Sequence, residues 1–209
     1  MTQPHPTARP DLLGVEVDGV TRQAALLRGA LVVGGLYGTG MVGPWVRRAL
    51  GQTATSDVDV LNYALTLEEL EAAFYRRARR LSLSSEVAGI ARDFGDAEQQ
   101  HVEALRGMIR KLGGTPVKAP RFRFPIGDER SFLKLAQTLE DTGVSAYNGA
   151  APSIRSAEVL AAAGSIVQIE ARHAAVIRLL RGKQPAPSAF DAPLTQTQVT
   201  KAITPLIAK

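Results

Sequence analysis

The sequence predicts an all-α fold: a four-helix bundle of two antiparallel hairpins joined by one long crossover. Three observations carry this. The composition is 45% hydrophobic but only 5% aromatic, with Ala and Leu dominant, which favours helix over strand. Four apolar-periodic stretches lie between residues 57 and 194, separated by a short, a long and a short link. The two halves of that region also carry matching patterns, so the domain reads as two copies of one helical hairpin.

Residues 1–20 are polar and Pro-containing and read as a disordered tail. "TRQAALLRGALVVGGLYGTGMVGPW" follows at 21–45, and from Gly29 to Trp45 it carries no charge. A basic start, an apolar run and "ALG" before Gln52 give 21–51 the layout of an export signal, with an uncleaved anchor as the alternative. Thr21-Arg22-Gln23 resembles a degraded twin-arginine signal, while Arg47-Arg48 before the cut is unfavourable for cleavage. Export to the periplasm or cell envelope is therefore expected, a cytoplasmic location stays open, and membrane contact is expected only through 21–51 if it is uncleaved.

The first helix starts behind Ser56 or Asp57 and runs through "VDVLNYALTLEELEAAFYRRARRL". The second runs from Ser84 or Ser85 to Leu112, where "GG" at 113–114 ends it. A Pro-broken connection occupies 115–130. The third helix covers Ser131 to Tyr147 and is stopped by "NGAAP"; the fourth runs from Ser153 or Ser156 to Arg181, before "GKQPAP". In the remaining segment, 195–209, Val199, Ala202, Ile203 and Leu206 form a short amphipathic piece able to dock on the bundle.

The chain has three histidines, and two sit in matching frames: "EQQHVEALR" at 98–106 and "EARHAAVIR" at 170–178, each Glu-x-x-His with an Arg five positions beyond. On the second helix the apolar seam Val87, Ala91, Phe94 continues through Glu98 and His101 to Leu105, Met108 and Leu112. On the fourth, Val159, Ala163 and Ile166 continue through Glu170 and His173 to Ile177 and Leu180. Spacing i, i+3 puts each Glu and His on one side of its helix, in phase with the core. In the first and third helices, "TLEELEAAFY" and "TLEDTGVSAY" place Glu68 seven before Tyr75 and Glu140 seven before Tyr147, again on core seams. The Glu intervals agree, thirty residues from 68 to 98 and from 140 to 170. Glu71 lies on a second apolar seam with Val60, Ala64, Leu67 and Phe74, so it is an alternative or supplement to Glu68. The repeat favours Glu68, because the counterpart of Glu71 is Gly143. Tyr75 and Tyr147 read either as core aromatics with a bonded hydroxyl or as groups supporting the Glu/His set. Asp96, Glu103 and Asp141 read as solvated groups or as neighbours of that set.

Four inward carboxylates and two imidazoles cannot stay charged and unpaired in an apolar bundle, at several kcal/mol apiece. Two divalent cations balance the four charges. Oxygen and nitrogen donors suit iron or manganese, and a chain without cysteine offers no thiolate for a closed structural zinc site. One Glu from each of two helices plus Glu-x-x-His from each of the other two is the ligand set of carboxylate-bridged di-metal bundles.

Through "LNYALTLEELEAAFY", "EQQHVEALR", "LEDTGVSAYNGAAP" and "IEARHAAVIRLLRG", residues 57–194 resemble the ferritin-like superfamily, in particular bacterial ferritin-like and desiccation-related proteins. The resemblance implies Glu68 and Glu140 as terminal or bridging ligands, Glu98 and Glu170 as bridges, and His101 and His173 as caps of one metal each. Tyr75 and Tyr147 would lie just outside the ligands. The end of the chain departs from storage ferritins: no long fifth helix is visible, so a 24-subunit iron cage is not supported.

The implied function is redox chemistry at two iron or manganese ions toward ferrous iron and dioxygen or toward peroxide, in stress protection. The alternative is a non-enzymatic ferritin-like scaffold protecting the cell envelope during drying. The net charge of +5 is spread over helix faces, densest in "YRRARR" and "RFRF", and no recognition motif for a specific nucleic acid accompanies it. A basic DNA-protecting module is the weaker reading. Expected partners are metal ions and dioxygen or peroxide, and a homodimer is open to the fold. "GGLYGTG" lacks the Lys-Ser or Lys-Thr of a phosphate loop, and no Ser/His/Asp constellation is present.

Overall fold

The computed structural model describes residues 16–17, 20–21 and 56–208. Near the N-terminus, β1 (Glu16–Val17) pairs antiparallel with β2 (Val20–Thr21), with Glu16 opposite Thr21, where the sequence reading expected no regular element. The rest of the expected tail, and 22–51 with the expected export signal, lie outside the described residues. Among the described residues no helix is long and apolar enough to cross a membrane.

Four long helices follow: α1 (Asp57–Ala78), α2 (Ser85–Lys111), α3 (Glu129–Ala150) and α4 (Ala157–Leu180). A short α5 (Gln196–Ile203) comes last. Each long helix starts on an oxygen-bearing cap. Ser56, Ser84, Asp128 and Ser156 accept from the backbone N–H three residues on, and Ser56 and Asp128 close reciprocal capping boxes with Asp59 and Ser131. The Asp57 carboxylate also accepts from the N–H groups of Arg155 and Ser156, both at 2.8 Å, tying the start of α1 to the start of α4. Gly113 and Gly182, at φ 76° and 65°, take the left-handed conformation just past the ends of α2 and α4.

Packing follows the expected connectivity. α1 packs chiefly on α2 and α3 on α4, and the hairpins meet through α1–α3 and α2–α4. Two apolar clusters flank a polar layer. α2 gives Val87 and Ala91 to one and Val102, Leu105 and Ile109 to the other, with Glu98 between; α4 gives Ile177 to the first and Val159 and Ile166 to the second.

The sequence reading needs correction in three places. The seam of alternating fours and threes does not hold to the end of α2: Ile109 is buried, while Leu112 is 41% exposed. A 3.5-residue seam drifts by about 20° per heptad on a 3.6-residue helix, so the stripe moves on to Val102 and Ile109. α3 does not stop at Tyr147. It runs through Asn148 and Gly149 to Ala150 and ends in a 3₁₀ turn, Ala151–Ser153, with Pro152 in its first turn. Gly149 is a point of close approach instead: a Cβ there would lie 1.9 Å from the Leu194 carbonyl oxygen. Finally, Ala202 faces solvent, whereas Val199, Ile203 and Leu206 are buried as the amphipathic reading expects. This segment docks on α3 and bridges to the crossover, with Arg123 N–H bonded to the Leu206 carbonyl and Ala208 N–H to that of Arg121.

Candidate metal centre

The polar layer is built by the register of four helices. Glu68 comes from α1, Glu98 and His101 from α2, Glu140 from α3, Glu170 and His173 from α4. All four carboxylates are fully buried. Their donor atoms and the imidazoles form two groups, Glu68–Glu98–His101–Glu170 and Glu98–Glu140–Glu170–His173, and within each the atoms lie within 4.8 Å of one another. Glu98 and Glu170 belong to both.

Contacts within the groups are close. His101 Nδ1 lies 3.0 Å from Glu98 Oε2, 3.1 Å from Glu68 Oε2 and 3.3 Å from Glu170 Oε1. His173 Nδ1 lies 2.9 Å from Glu98 Oε1 and 3.5 Å from Glu140 Oε2, neither aligned as a hydrogen bond. Tyr147 Oη donates to Glu68 Oε1 at 2.6 Å, and Tyr75 Oη donates to Glu140 Oε1. Both tyrosines are buried in the core, as sequence allowed, and each hydroxyl serves a carboxylate of the other hairpin.

Glu68, rather than Glu71, enters a four-donor group. Glu71 is nonetheless buried beside the layer with Oε2 unpartnered. It occupies the space its counterpart leaves, since a Cβ on Gly143 would lie 3.3 Å from Glu71 Oε1 and 3.2 Å from Glu170 Oε2. The centre therefore holds five buried carboxylates, one more than the repeat supplies symmetrically.

Electrostatics show how unfavourable this crowd is on protein groups alone. Burial, then the neighbouring carboxylates, push Glu71 and Glu170 well above the usual carboxylate range. Burial pushes Glu68 up to about 8 against the pull of His101, and it raises Glu140 too. Glu98 is held down at about 2: burial opposes ionisation, but the adjacent imidazoles of His101 and His173 outweigh it. Burial works against protonated imidazoles, yet the carboxylates push His101 up to about 12 and His173 to about 9. Apart from Glu98, these groups hold protons more firmly than usual, protons that cations could replace. Glu140 Oε2, both oxygens of Glu170 and His173 Nδ1 find no hydrogen-bond partner among the protein atoms. Orphaned lone pairs converging in a buried layer, with no sulfur donor, fit hard or borderline divalent cations such as iron or manganese.

Three features escaped the sequence reading. Phe94 stacks on His173, ring centroids 3.8 Å apart at 19°, although sequence marked it only as core. Its place four residues before Glu98 on the inward stripe was the available signal. The Arg of each motif pairs with the acid following the facing helix's Glu: Arg106 with Glu69, and Arg178 with Asp141 at 2.6 Å. The repeated spacing of Arg after His carried that information. The two groups also differ in enclosure, with the His101 side chain 12% exposed and that of His173 7%.

A comparison with curated proteins finds no match. Among solved structures, a conserved hypothetical protein from Mycobacterium tuberculosis is similar in fold, with a TM-score of 0.56 at 20% identity over 64% of this chain and 96% of that one. A family model described as "Ferritin-like domain" matches residues 56–183, which hold all four long helices and every residue of the layer. The chain belongs to the ferritin-like domain family.

Proposed function

We propose that the protein binds two iron or manganese ions in this layer and uses them as a redox centre toward dioxygen or peroxide, in protection against stress. One observation carries the reading: two four-donor groups share Glu98 and Glu170 and leave buried donor atoms without protein partners. Glu68 and His101 would hold one ion, Glu140 and His173 the other, and Glu98 and Glu170 both. When bound, such ions supply one-electron steps between divalent and trivalent states.

The chain's own groups supply geometry and exclusion. Tyr147 and Tyr75 fix the rotamers of Glu68 and Glu140 by donating to one oxygen of each. The stacked Phe94 holds the plane of His173. Burial keeps competing water ligands out and leaves the two tyrosine hydroxyls protonated.

Elemental analysis of the full chain, purified without a His tag, tests the reading together with anaerobic loading and oxidant addition. About two iron or manganese ions per chain are expected. The loaded protein should consume dioxygen or peroxide well above the metal-free background. Metal uptake that raises the melting temperature without turnover would leave the scaffold reading instead. Absence of metal and of uptake would overturn both versions of the site.

A further inference from the structure

The two hairpins match position for position at a separation of 72 residues: Glu68 with Glu140, Tyr75 with Tyr147, Glu98 with Glu170, His101 with His173. They part at the ends of the bundle. Around Tyr75, Phe74 and Phe132 stack at 5.2 Å and 16°, Phe94 closes the edge at 5.9 Å, and Tyr75 is fully buried. The counterparts of those rings beside Tyr147 are Ala146, Val60 and Ile166.

Smaller residues leave space. A cleft of about 350 Å³, mouth included, opens between the start of α1, the end of α3 and the start of α4, its walls including Val60, Leu61, Ala64, Ala146, Tyr147 and Ala163. Its exposed wall is apolar, although the lining residue Tyr63 carries a buried hydroxyl without a partner among the protein atoms, and its core is wide enough for about one molecule of water size. The Tyr147 ring forms part of the wall, and the hydroxyl of that ring reaches Glu68. The cleft thus adjoins the group containing Glu68 and His101, the less enclosed of the two.

We propose that this cleft is a binding site and entry path for dioxygen, made by the loss of the aromatic plug that closes the opposite end. The inference rests on the redox reading above and names its oxidant. Enclosed apolar cavities hold xenon and similar nonpolar species and stay dry, and an apolar cleft with room for about one water-sized molecule offers the same surroundings to dioxygen on a smaller scale. Hydrogen peroxide is disfavoured, because bringing hydroxyl groups into an apolar lining without partners costs several kcal/mol. In the proposed reaction one dioxygen would take one electron from each of two ferrous ions and two protons from solvent, and would leave as hydrogen peroxide with both irons ferric.

The test restores the plug. Val60→Phe/Ala146→Phe installs at this end the residues that Phe132 and Phe74 already provide at the other. Xenon-pressurised crystals of the full chain, metal-free and iron-loaded, are expected to show xenon beside Tyr147 in the wild type and none in the variant. Ferrous oxidation by dioxygen should slow about tenfold in the variant, a barrier increase of about 1.4 kcal/mol, while oxidation by added peroxide and iron content stay at wild-type levels. Val60→Phe alone serves if the double variant does not fold, with a smaller effect in the same direction. An empty cleft in the xenon-treated wild type overturns the proposal. So does a filled cleft with an unchanged dioxygen rate, or equal slowing with both oxidants. A wild type that takes up iron and reacts with neither oxidant fails the redox reading itself, and the dioxygen path falls with it even if xenon binds.

Discussion

Tyr147 on α3 donates its hydroxyl to Glu68 on α1 at 2.6 Å, and Tyr75 on α1 returns the same bond to Glu140 on α3. Each hairpin therefore supplies the donor that orients the other's carboxylate. The two halves are coupled through the site as well as through apolar packing.

Removing one donor tests that coupling. Tyr147→Phe keeps the ring and deletes the bond, leaving Glu68 Oε1 buried without its partner. Orphaning a buried acceptor costs about 1–3 kcal/mol, so denaturant unfolding of the metal-free variant should show a loss of that order. Tyr75→Phe should match it. A loss well below 0.5 kcal/mol in both, inside the range of ordinary surface substitutions, would mean the bonds are incidental to the bundle.

Metal stoichiometry should follow the sharing of donors. Glu98 and Glu170 serve both groups, His101 and His173 one each. Glu98→Ala is thus expected to abolish binding of both ions, whereas His101→Ala keeps the ion held with His173. Metal analysis after equilibrium dialysis decides this. Equal loss in the two variants would contradict two groups with common bridges.

Protonation sets the pH dependence of the metal-free protein. Glu68 is raised from 4.5 to about 8 in the fold, so it keeps a proton that the unfolded chain has already released. Its contribution is complete below 4.5 and is lost as pH rises through 8. His173, raised from 6.5 to about 9, and His101, raised to about 12, act with the same sign at higher pH. Glu98, lowered from 4.5 to about 2, opposes them only at the acid end. Melting temperature without metal should therefore fall between pH 5 and 9. The gain on adding metal should widen over the same interval, since cations take the place of those protons. A metal-induced gain that shrinks as pH rises would show that the buried layer does not govern stability.

Much of this arrangement is legible in the sequence because the repeat is strict where chemistry demands it. Glu68, Glu98, His101, Glu140, Glu170 and His173 announce themselves as charged residues on apolar seams, and all six converge. Helix order follows from link lengths. What is not legible depends on pairs distant in sequence. The stacking of Phe94 on His173, the insertion of Glu71 opposite Gly143, and the space left by Val60 and Ala146 require knowing which faces meet. Gly149 failed for a related reason. Read locally, Asn148-Gly149 signals a stop, but the glycine is needed by a chain segment 45 residues later.

Gly149→Ala turns that last point into a test in which two effects predict opposite signs. Gly149 lies inside α3, where helix propensity alone gives Ala a stabilising advantage of about 1 kcal/mol. The structure predicts a loss. The new Cβ would sit 1.9 Å from the Leu194 carbonyl oxygen, and backbone lies on both sides of the contact. Leu194 is held there by its N–H bond to the Ser145 carbonyl at 2.9 Å, so the clash must lift the C-terminal segment from α3. Overpacking of this kind costs about 1–3 kcal/mol, which exceeds the propensity gain at the middle of its range. The variant should unfold at lower denaturant concentration. Its amide exchange should quicken at Leu194 and along α5, where Val199 and Ile203 are buried against the bundle. Metal content should hold, because no donor of the layer belongs to that segment. A variant more stable than the wild type, with protection at Leu194 unchanged, would show that the C-terminal segment does not pack on α3 as described.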